Sequence, residues 1–362
     1  MPDEEFLEPD DENESFGNYT EAKSPQRRKK ILKWLLLILL LLLVIFLSYA
    51  GYLKYKYNKM IIGRKSSSLE EAKNLVSPEL LRGEETGDVN ILFLGMRPED
   101  MAGAYLSSAM MIINLDVKNN KTNLISIPRD LWMPIDGNMG KANSVYKTAV
   151  ANPKKYPQGG IAFAEKTFGD TFGIKINYAF VANFDGFQKI IDDLGKVDVK
   201  ISAGEAANYP FLADADFQSA KDKNDPRLYR FDGKQSLTFV SWPRDAVPDF
   251  DRLRRMQLFV FSAANQYLKI STLLDAPKTN EVLNIAGDNI KVDIQLWEMK
   301  KILDFADKVD FKNIKQYKLT TDVGSDGGLL RESHYFNTTY NPIAGDNDFS
   351  QIQNWAKNII AN

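Results

Sequence analysis

The residues of this chain that could most readily bind a ligand or take part in catalysis are arginines that stand beside aspartates. The segment Ser126-Ile127-Pro128-Arg129-Asp130 follows an apolar run that is typical of a β-strand. In α/β folds, ligands bind at the carboxyl ends of the strands, so Arg129 and Asp130 are a candidate site. A structural arginine–aspartate pair in a turn is the alternative interpretation.

A second group of charges stands at the start of a predicted helix, in the segment Asp249-Phe250-Asp251-Arg252-Leu253-Arg254-Arg255. The unpaired N–H groups of a helix start carry partial positive charge, so three arginines are disfavoured there. Asp249 and Asp251 offset them only in part. A bound phosphate would resolve the conflict, because helix starts and guanidinium groups both bind it. The alternative is that the arginines lie on a solvated helix face.

Spacing predicts which of these arginines share a surface. Arg252 and Arg255 are three residues apart and can face one side of the helix, whereas Arg254 points elsewhere. We expect Arg129 to approach from the sheet edge and Arg244 from the loop before the helix. Four arginines would then converge on one anion.

Composition narrows the chemistry that is available. The 362 residues include 46 Lys and Arg against 48 Asp and Glu, and this balance argues against a general nucleic-acid binder. The chain has no cysteine and one histidine, His334. Thiol nucleophiles, disulfides, thiolate zinc sites and multi-histidine metal sites are therefore excluded. The remaining chemistry uses carboxylates, Arg and Lys, hydroxyl groups or a bound metal.

The N-terminal region predicts a membrane anchor. Residues 1–22 contain nine acidic residues and no Lys or Arg, which is typical of a disordered tail. Residues 34–53 then form an uncharged run of twenty residues, and at ~1.5 Å per residue a helix of that length spans a ~30 Å hydrocarbon core. A cleaved signal peptide is the alternative, but its apolar segment is usually only ~7–15 residues long.

The basic cluster at 27–30 favours a cytoplasmic N-terminus, so the bulk of this single-pass membrane chain is predicted to lie outside the cytoplasm.

From residue 89 onward, mixed strand and helix patterns predict an α/β domain with a central mixed β-sheet flanked by helices. The predicted units are an acidic cytoplasmic tail with a basic flank (1–30), a transmembrane helix (31–53), a juxtamembrane stalk (54–88), the α/β domain (89–320) and a C-terminal extension (321–362).

Individual elements of the α/β domain are predicted from hydrophobic periodicity and turn residues. Strands are expected at 90–96, 110–116, 121–127, 178–183, 197–201 and 314–319, with a further one at 239–240. Helices are expected at 160–172, 184–194, 251–270 and 295–306.

These motifs, in this order behind a predicted anchor, resemble the LytR-CpsA-Psr family. The motifs that carry the resemblance are NILFLG at 90–95, SIPRD at 126–130, Lys141-x-Asn143, the stretch from YAFVANFDGF to DLGKVDV within 178–199, and DFDRLRRMQ at 249–257. The resemblance implies a membrane-anchored extracytoplasmic phosphotransferase. Such an enzyme moves an anionic glycopolymer from polyprenyl pyrophosphate to the cell wall, usually to peptidoglycan.

The resemblance also implies roles for residues. Asp130 and Asp249 would orient arginines or take a proton from the acceptor hydroxyl, a Mg²⁺ ion would bridge the pyrophosphate, and the lipid tail would lie in an apolar tunnel beside the sheet. Phosphoryl transfer relies on positioning and charge neutralisation, so histidine is dispensable. The arginines that would bind the pyrophosphate are Arg129, Arg244, Arg252 and Arg255.

The chain departs from the family pattern at the expected metal. Met96-Arg97-Pro98-Glu99-Asp100 replaces a Ser-Asp-Ser-Arg-like turn, and Leu106-Ser107-Ser108-Ala109 replaces Arg-Ser-Asp-Thr. Both usual metal-binding aspartates are thus missing, which leaves the metal ligands open, although Glu99 or Asp100 could replace one. Two alternative functions stay open: a non-catalytic binding protein for polyprenyl phosphate or wall polymer, and a lipid-pyrophosphate phosphatase.

Overall fold

The computed structural model describes residues 79–242, 250–267, 289–306, 308, 314–333 and 339–361, together with 48, 51, 52, 54, 55, 58 and 59. The chain divides into two compact units, Met1–Tyr52 and Leu53–Asn362. None of the helices in the described part is long and apolar enough to cross a membrane. The segment predicted as a transmembrane helix lies mostly outside these residues, as does the acidic tail, so both stay predictions.

Strands of the second unit form one large sheet and three small ones. In chain order the strands are β1 (Asp88–Met96), β2 (Ser107–Asp116), β3 (Lys121–Ser126), β4 (Trp132–Ile135), β5 (Asn138–Lys141), β6 (Tyr178–Asn183), β7 (Val197–Lys200), β8 (Leu228–Phe231), β9 (Ile290–Val292), β10 (Ile314–Lys318), β11 (Leu330–Ser333) and β12 (Thr339–Pro342). The large sheet has six strands in the order β10-β3-β2-β1-β6-β9. The pairs β4–β5, β7–β8 and β11–β12 form the small sheets.

The large sheet is mixed. β1 pairs parallel with β6, and β10 pairs parallel with β3. β2 runs antiparallel to both β1 and β3, and β9 runs antiparallel to β6. Consequently β1, β3, β6 and β10 all run in one direction, and their carboxyl ends meet at one edge of the sheet.

Local chemistry explains the predicted hairpin between β2 and β3. Asp116 Oδ1 accepts hydrogen bonds from the backbone N–H groups of Lys118 and Asn119, an arrangement that stabilises a turn. Asn120 then takes a left-handed φ of 52°, which asparagine tolerates better than most residues. The pairing sets Met111 opposite Ser126 and confirms the predicted hairpin.

Helices cover both faces of the sheet. They are α1 (Val145–Ala151), α2 (Gly159–Phe172), α3 (Phe184–Leu194), α4 (Ala203–Ala206), α5 (Ala215–Ala220), α6 (Gly233–Ser241), α7 (Phe250–Tyr267), α8 (Leu296–Ala306) and α9 (Ser350–Ala361). α3 shows why such boundaries are predictable. Asn183 caps its first turn by accepting from the Gly186 N–H at 2.8 Å, and Gly195 ends it at a left-handed φ of 96°.

Three apolar clusters form the core. The largest packs α1, α2 and α9 against the sheet, a second lies around α8 on the other face, and a third joins the β7–β8 hairpin to α3, α6 and α7. This arrangement confirms the prediction of a central mixed sheet flanked by helices.

Two expectations differ from the structure. Phe239 and Val240, expected in a strand, lie on α6, because the capping box of Asp232 and Gln235 starts a helix there. The residues beyond 320, predicted as a C-terminal extension, contribute Leu330 and Ile352 to the largest core cluster.

Candidate functional site

The candidate site lies where β1, β3 and β6 end. After β3, Ile127 N–H donates to the Met110 carbonyl at 3.0 Å, and a turn closes where Leu131 N–H donates to the Pro128 carbonyl at 3.1 Å. Arg129 and Asp130 stand in this turn. Their backbone carbonyls accept from the N–H groups of Asn143 and Tyr340, respectively, each at 3.0 Å. The turn is therefore held by two segments distant in sequence.

Asp130 is held between two cations. Its Oδ1 accepts from Lys141 Nζ at 2.7 Å, and its Oδ2 lies 3.3 Å from Arg129 Nε. The arginine–aspartate pair read from the sequence thus exists, and β5 adds a lysine to it. Asp130 thereby holds two cationic side chains, from the turn and from β5, close to each other.

Arg252 reaches the same edge from α7. Its side chain is buried, and Nη1 donates to the Ser108 carbonyl at the start of β2 and lies 3.4 Å from Met256 Sδ. The ring of Phe250 lies 5.0 Å from that of Tyr340, the residue that binds the Asp130 carbonyl. The start of α7 and the Arg129–Asp130 turn are therefore neighbours.

Arg255 is buried in a different direction. With 1% exposure, it donates from Nε to the Phe239 carbonyl at 2.7 Å and from Nη2 to the Trp242 carbonyl at 2.6 Å. Nη1 pairs with Asp251, and the guanidinium lies 5.3 Å from the centre of the Tyr209 ring. Arg255 therefore ties α7 to the end of α6 rather than joining Arg252 at Ser108.

The remaining predicted residues divide into two groups. Arg254 points away from the core and pairs with Glu205 Oε1 at 2.6 Å, as the spacing predicted. Arg244 and Asp249 lie outside the described residues, so their predicted roles are not tested by the structure.

An apolar cavity of about 60 Å³ adjoins Arg252. Met256, which contacts the Arg252 guanidinium, is part of its wall. Gly95 and Ala109 keep the space open, because a Cβ atom on Gly95 would lie 2.9 Å from the Ala109 Cβ. The other lining side chains are mostly aromatic or branched, among them Phe93, Phe184, Phe187, Val240, Phe259 and Val260.

A much larger groove of about 940 Å³ lies between the β4–β5 hairpin, α2 and the start of α9. It contains none of the predicted site residues, and its lining mixes carboxylates, amides and aromatic rings. Of these two cavities, the smaller one is therefore the one that adjoins a predicted site arginine.

The sequence and the fold both have counterparts among known proteins. The LytR_cpsA_psr family matches residues 47–355 of the chain. The chain belongs to the LytR-CpsA-Psr family. Its α/β fold is similar to the crystal structure of Bacillus subtilis TagV, with a TM-score of 0.54 and 20% identity over 76% of this chain and 97% of that one. A structure of TagT bound to LI-WTA gives a TM-score of 0.56 at 16% identity, over 78% of this chain and 94% of that one.

Relatives by sequence carry two kinds of name. The "Polyisoprenyl-teichoic acid--peptidoglycan teichoic acid transferase TagU" of Oceanobacillus iheyensis is 27% identical over 291 residues, which cover 78% of this chain and 83% of that protein. The "Regulatory protein MsrR" of Staphylococcus aureus is 27% identical over 198 residues, or 54% of each chain.

Among the residues that the structure describes, the donor set of this LytR-CpsA-Psr protein does not fit a Mg²⁺ ion held by the protein alone. Asp130 is engaged by Arg129 and Lys141. Glu99 is engaged by the Tyr105 hydroxyl, and burial, followed by this hydrogen bond, raises the pKa of Tyr105 to about 12. Over the described ranges, no three acidic or histidine side chains come together as metal ligands. The expected Mg²⁺ stays a prediction.

Two features of the site were not assigned from the sequence of this LytR-CpsA-Psr protein. Lys141 was part of a motif without a role, and its ion pair with Asp130 depends on the β4–β5 hairpin. The cavity walls come from β1, β2, β6, α3, α6 and α7, so the signal in the sequence was limited to small residues such as Gly95 and Ala109 on adjacent strands.

Proposed function

We propose that this chain is a membrane-anchored, extracytoplasmic phosphotransferase that moves a glycopolymer from polyprenyl pyrophosphate to peptidoglycan. One observation carries the proposal: the Arg252 guanidinium and the apolar cavity share Met256 as a common wall. The arginine suits an anionic head group, and the apolar wall beside it suits the first part of a lipid tail. The cavity, at about 60 Å³, is smaller than the ~150 Å³ cavity that holds benzene, so the rest of a polyprenyl chain would lie outside it. The names of the sequence relatives, which are teichoic acid transferases acting from a polyisoprenyl carrier to peptidoglycan, support the same substrate class.

The arginines act by charge and position. Arg129 and Arg252, with Arg244, bind the pyrophosphate oxygens and neutralise the charge that grows during transfer. Asp130 accepts hydrogen bonds from Arg129 and Lys141 and so orients Arg129. Arg255 supports the site by tying α7 to α6.

The reaction needs one carboxylate as a proton acceptor. The hydroxyl oxygen of the acceptor sugar attacks the phosphorus that carries the glycopolymer, and the bond from that phosphorus to the oxygen of polyprenyl phosphate breaks. The hydroxyl proton passes to Asp130 or Asp249, and polyprenyl phosphate leaves. Mg²⁺, where it is bound, would supply additional charge neutralisation.

The predicted topology completes the proposal. The anchor at 31–53 would hold the domain at the outer face of the cell membrane, where a lipid carrier presents its head group. Protease treatment of intact cells should remove the domain and leave the cytoplasmic tail. An ectodomain that survives the treatment, while it is degraded in broken cells, would contradict this orientation.

A transfer assay tests the proposed chemistry. The full-length protein in detergent is incubated with a labelled lipid-linked glycopolymer and peptidoglycan. Label in the peptidoglycan is the expected result. Tight donor binding without transfer would favour the binding-protein alternative, and release of free polymer in the absence of peptidoglycan would favour the phosphatase.

A further inference from the structure

The turn that follows β1 brings an additional cation to the candidate site. In the β1–β2 pair Met96 lies opposite Ser107, and Arg97 N–H donates to the Leu106 carbonyl at 3.4 Å. Ser108, the next residue of β2, gives its carbonyl to Arg252. Arg97 and Arg252 therefore flank the same end of β2.

The charge of Arg97 is not neutralised by any described residue. Its side chain is exposed, and Nη1 donates to the Ala102 carbonyl at 2.9 Å. A carbonyl oxygen orients a guanidinium but does not cancel its charge. By contrast, the exposed Arg230 forms two hydrogen bonds with the Asp198 carboxylate, at 2.7 and 3.0 Å. Arg97 thus keeps a full positive charge and most of its donors for another partner.

The same positions explain why a protein-held divalent cation is disfavoured. Arg97 and Ser108 stand where the family pattern has aspartates. An arginine at this place repels a cation, and a serine supplies one neutral oxygen where Mg²⁺ binds best through carboxylates. A guanidinium, however, binds phosphate oxygens in a bidentate manner and is always charged.

We propose that Arg97 supplies positive charge that a divalent cation would otherwise provide, so that this chain binds a polyprenyl pyrophosphate head group without Mg²⁺. The inference rests on the proposed function, because it assumes that the head group binds at this edge of the sheet. A pyrophosphate diester carries two negative charges, and Arg97 would balance one of them.

The test is calorimetric titration of the full-length protein in detergent with geranylgeranyl pyrophosphate, in EDTA and in Mg²⁺. The wild-type dissociation constants in the two buffers should agree within about twofold. Arg97→Ala should weaken binding in EDTA by roughly 10- to 100-fold, the range expected for losing one charged hydrogen bond. Arg230→Ala removes an exposed arginine far along the chain and is the matched control, with no change expected.

A charge-reversed variant sharpens the test. Arg97→Asp combined with Ser108→Asp should bind the lipid pyrophosphate only when Mg²⁺ is present. Wild-type protein that binds in Mg²⁺ but not in EDTA would overturn the inference and leave the proposed function intact. Wild-type protein that binds in neither buffer would overturn both, and Arg97→Ala binding like wild type in EDTA would overturn the role of Arg97.

Discussion

Arginines lie at both ends of the strands of the central sheet, and the charge of the groups around them differs between the two ends. At the edge where β6 begins, Arg82 Nη2 lies 2.6 Å from Asp293 Oδ2, and its guanidinium lies 4.0 Å from the centre of the Tyr178 ring. Glu298 accepts from the Tyr178 hydroxyl at 3.0 Å and from the Gln295 N–H at 2.8 Å. Carboxylates here outnumber the arginine.

Burial and the acidic excess at this edge both act on Glu165. Burial, and then the nearby charge of Asp293, raise the pKa of Glu165 to about 8. At the opposite edge, the described partner of the exposed Arg97 side chain is the Ala102 carbonyl, which leaves the positive charge of Arg97 in place. The difference teaches that a guanidinium matched by carboxylates holds the fold together, whereas one matched by carbonyls is available to an anion.

Arg255 does not follow the division between structural and anion-binding arginines by its position. It lies near the binding edge, but it is fully buried and has a structural role. Arg255→Ala leaves Asp251 and two carbonyls without their donor, so we expect a loss of about 3–5 kcal/mol in the free energy of unfolding. Urea denaturation measures it. Arg254→Ala, which breaks an exposed pair with Glu205, should cost less than about 1 kcal/mol. Equal effects of the two variants would contradict a structural role for Arg255.

Arg82→Ala tests the acidic edge. Asp293 and Glu298 would remain buried without their cation, and we expect a loss of about 3 kcal/mol in stability because Arg82 itself is partly exposed. Binding of geranylgeranyl pyrophosphate to the folded fraction should not change. A weakened affinity at full folding would show that the two edges are coupled.

Arg252→Ala tests the basic edge. We expect affinity for geranylgeranyl pyrophosphate to fall by roughly 10- to 100-fold, since a charged hydrogen bond contributes ~1.5–3 kcal/mol. Calorimetry gives the affinity, and thermal melting should show a smaller stability change than Arg255→Ala does. Arg254→Ala is the control. Arg254 lies on the same helix between the buried Arg252 and Arg255 but faces solvent, so this variant should bind like wild type.

The smallest effect is the pH dependence that Glu165 creates. Its pKa is higher in the folded state than the ordinary value of 4.5, so its contribution to stability is complete below about pH 4.5 and is lost as the pH rises through about 8. We expect this half-buried group to account for about 1–2 kcal/mol of the stability lost between pH 5 and pH 9. Glu165→Gln should remove that part of the slope in urea unfolding. A slope identical to wild type would show that Glu165 does not titrate in this range.

Local sequence patterns were sufficient to predict most strands of the sheet and most of the helices that flank it. The Asp116 turn, the Asn183 cap and the Gly195 stop act within four residues of the backbone groups they satisfy, so the sequence predicts them directly. The SIPRD segment was likewise predictable, because a strand followed by a proline turn exposes its last residues at a sheet edge.

The partners of the arginines depended on the tertiary structure. Arg252 and Arg255 look equivalent in a helical repeat, but one meets the start of β2 and the other the end of α6. Buried amides show the same dependence: Asn123 donates to Asn114, and Asn114 to Asn90, across three strands at 3.0 Å each. The sequence alone determined which residues were charged, apolar or turn-forming, because those properties are local. Only the strand register and helix packing decided which charges were neutralised, because that depends on groups far apart in the chain.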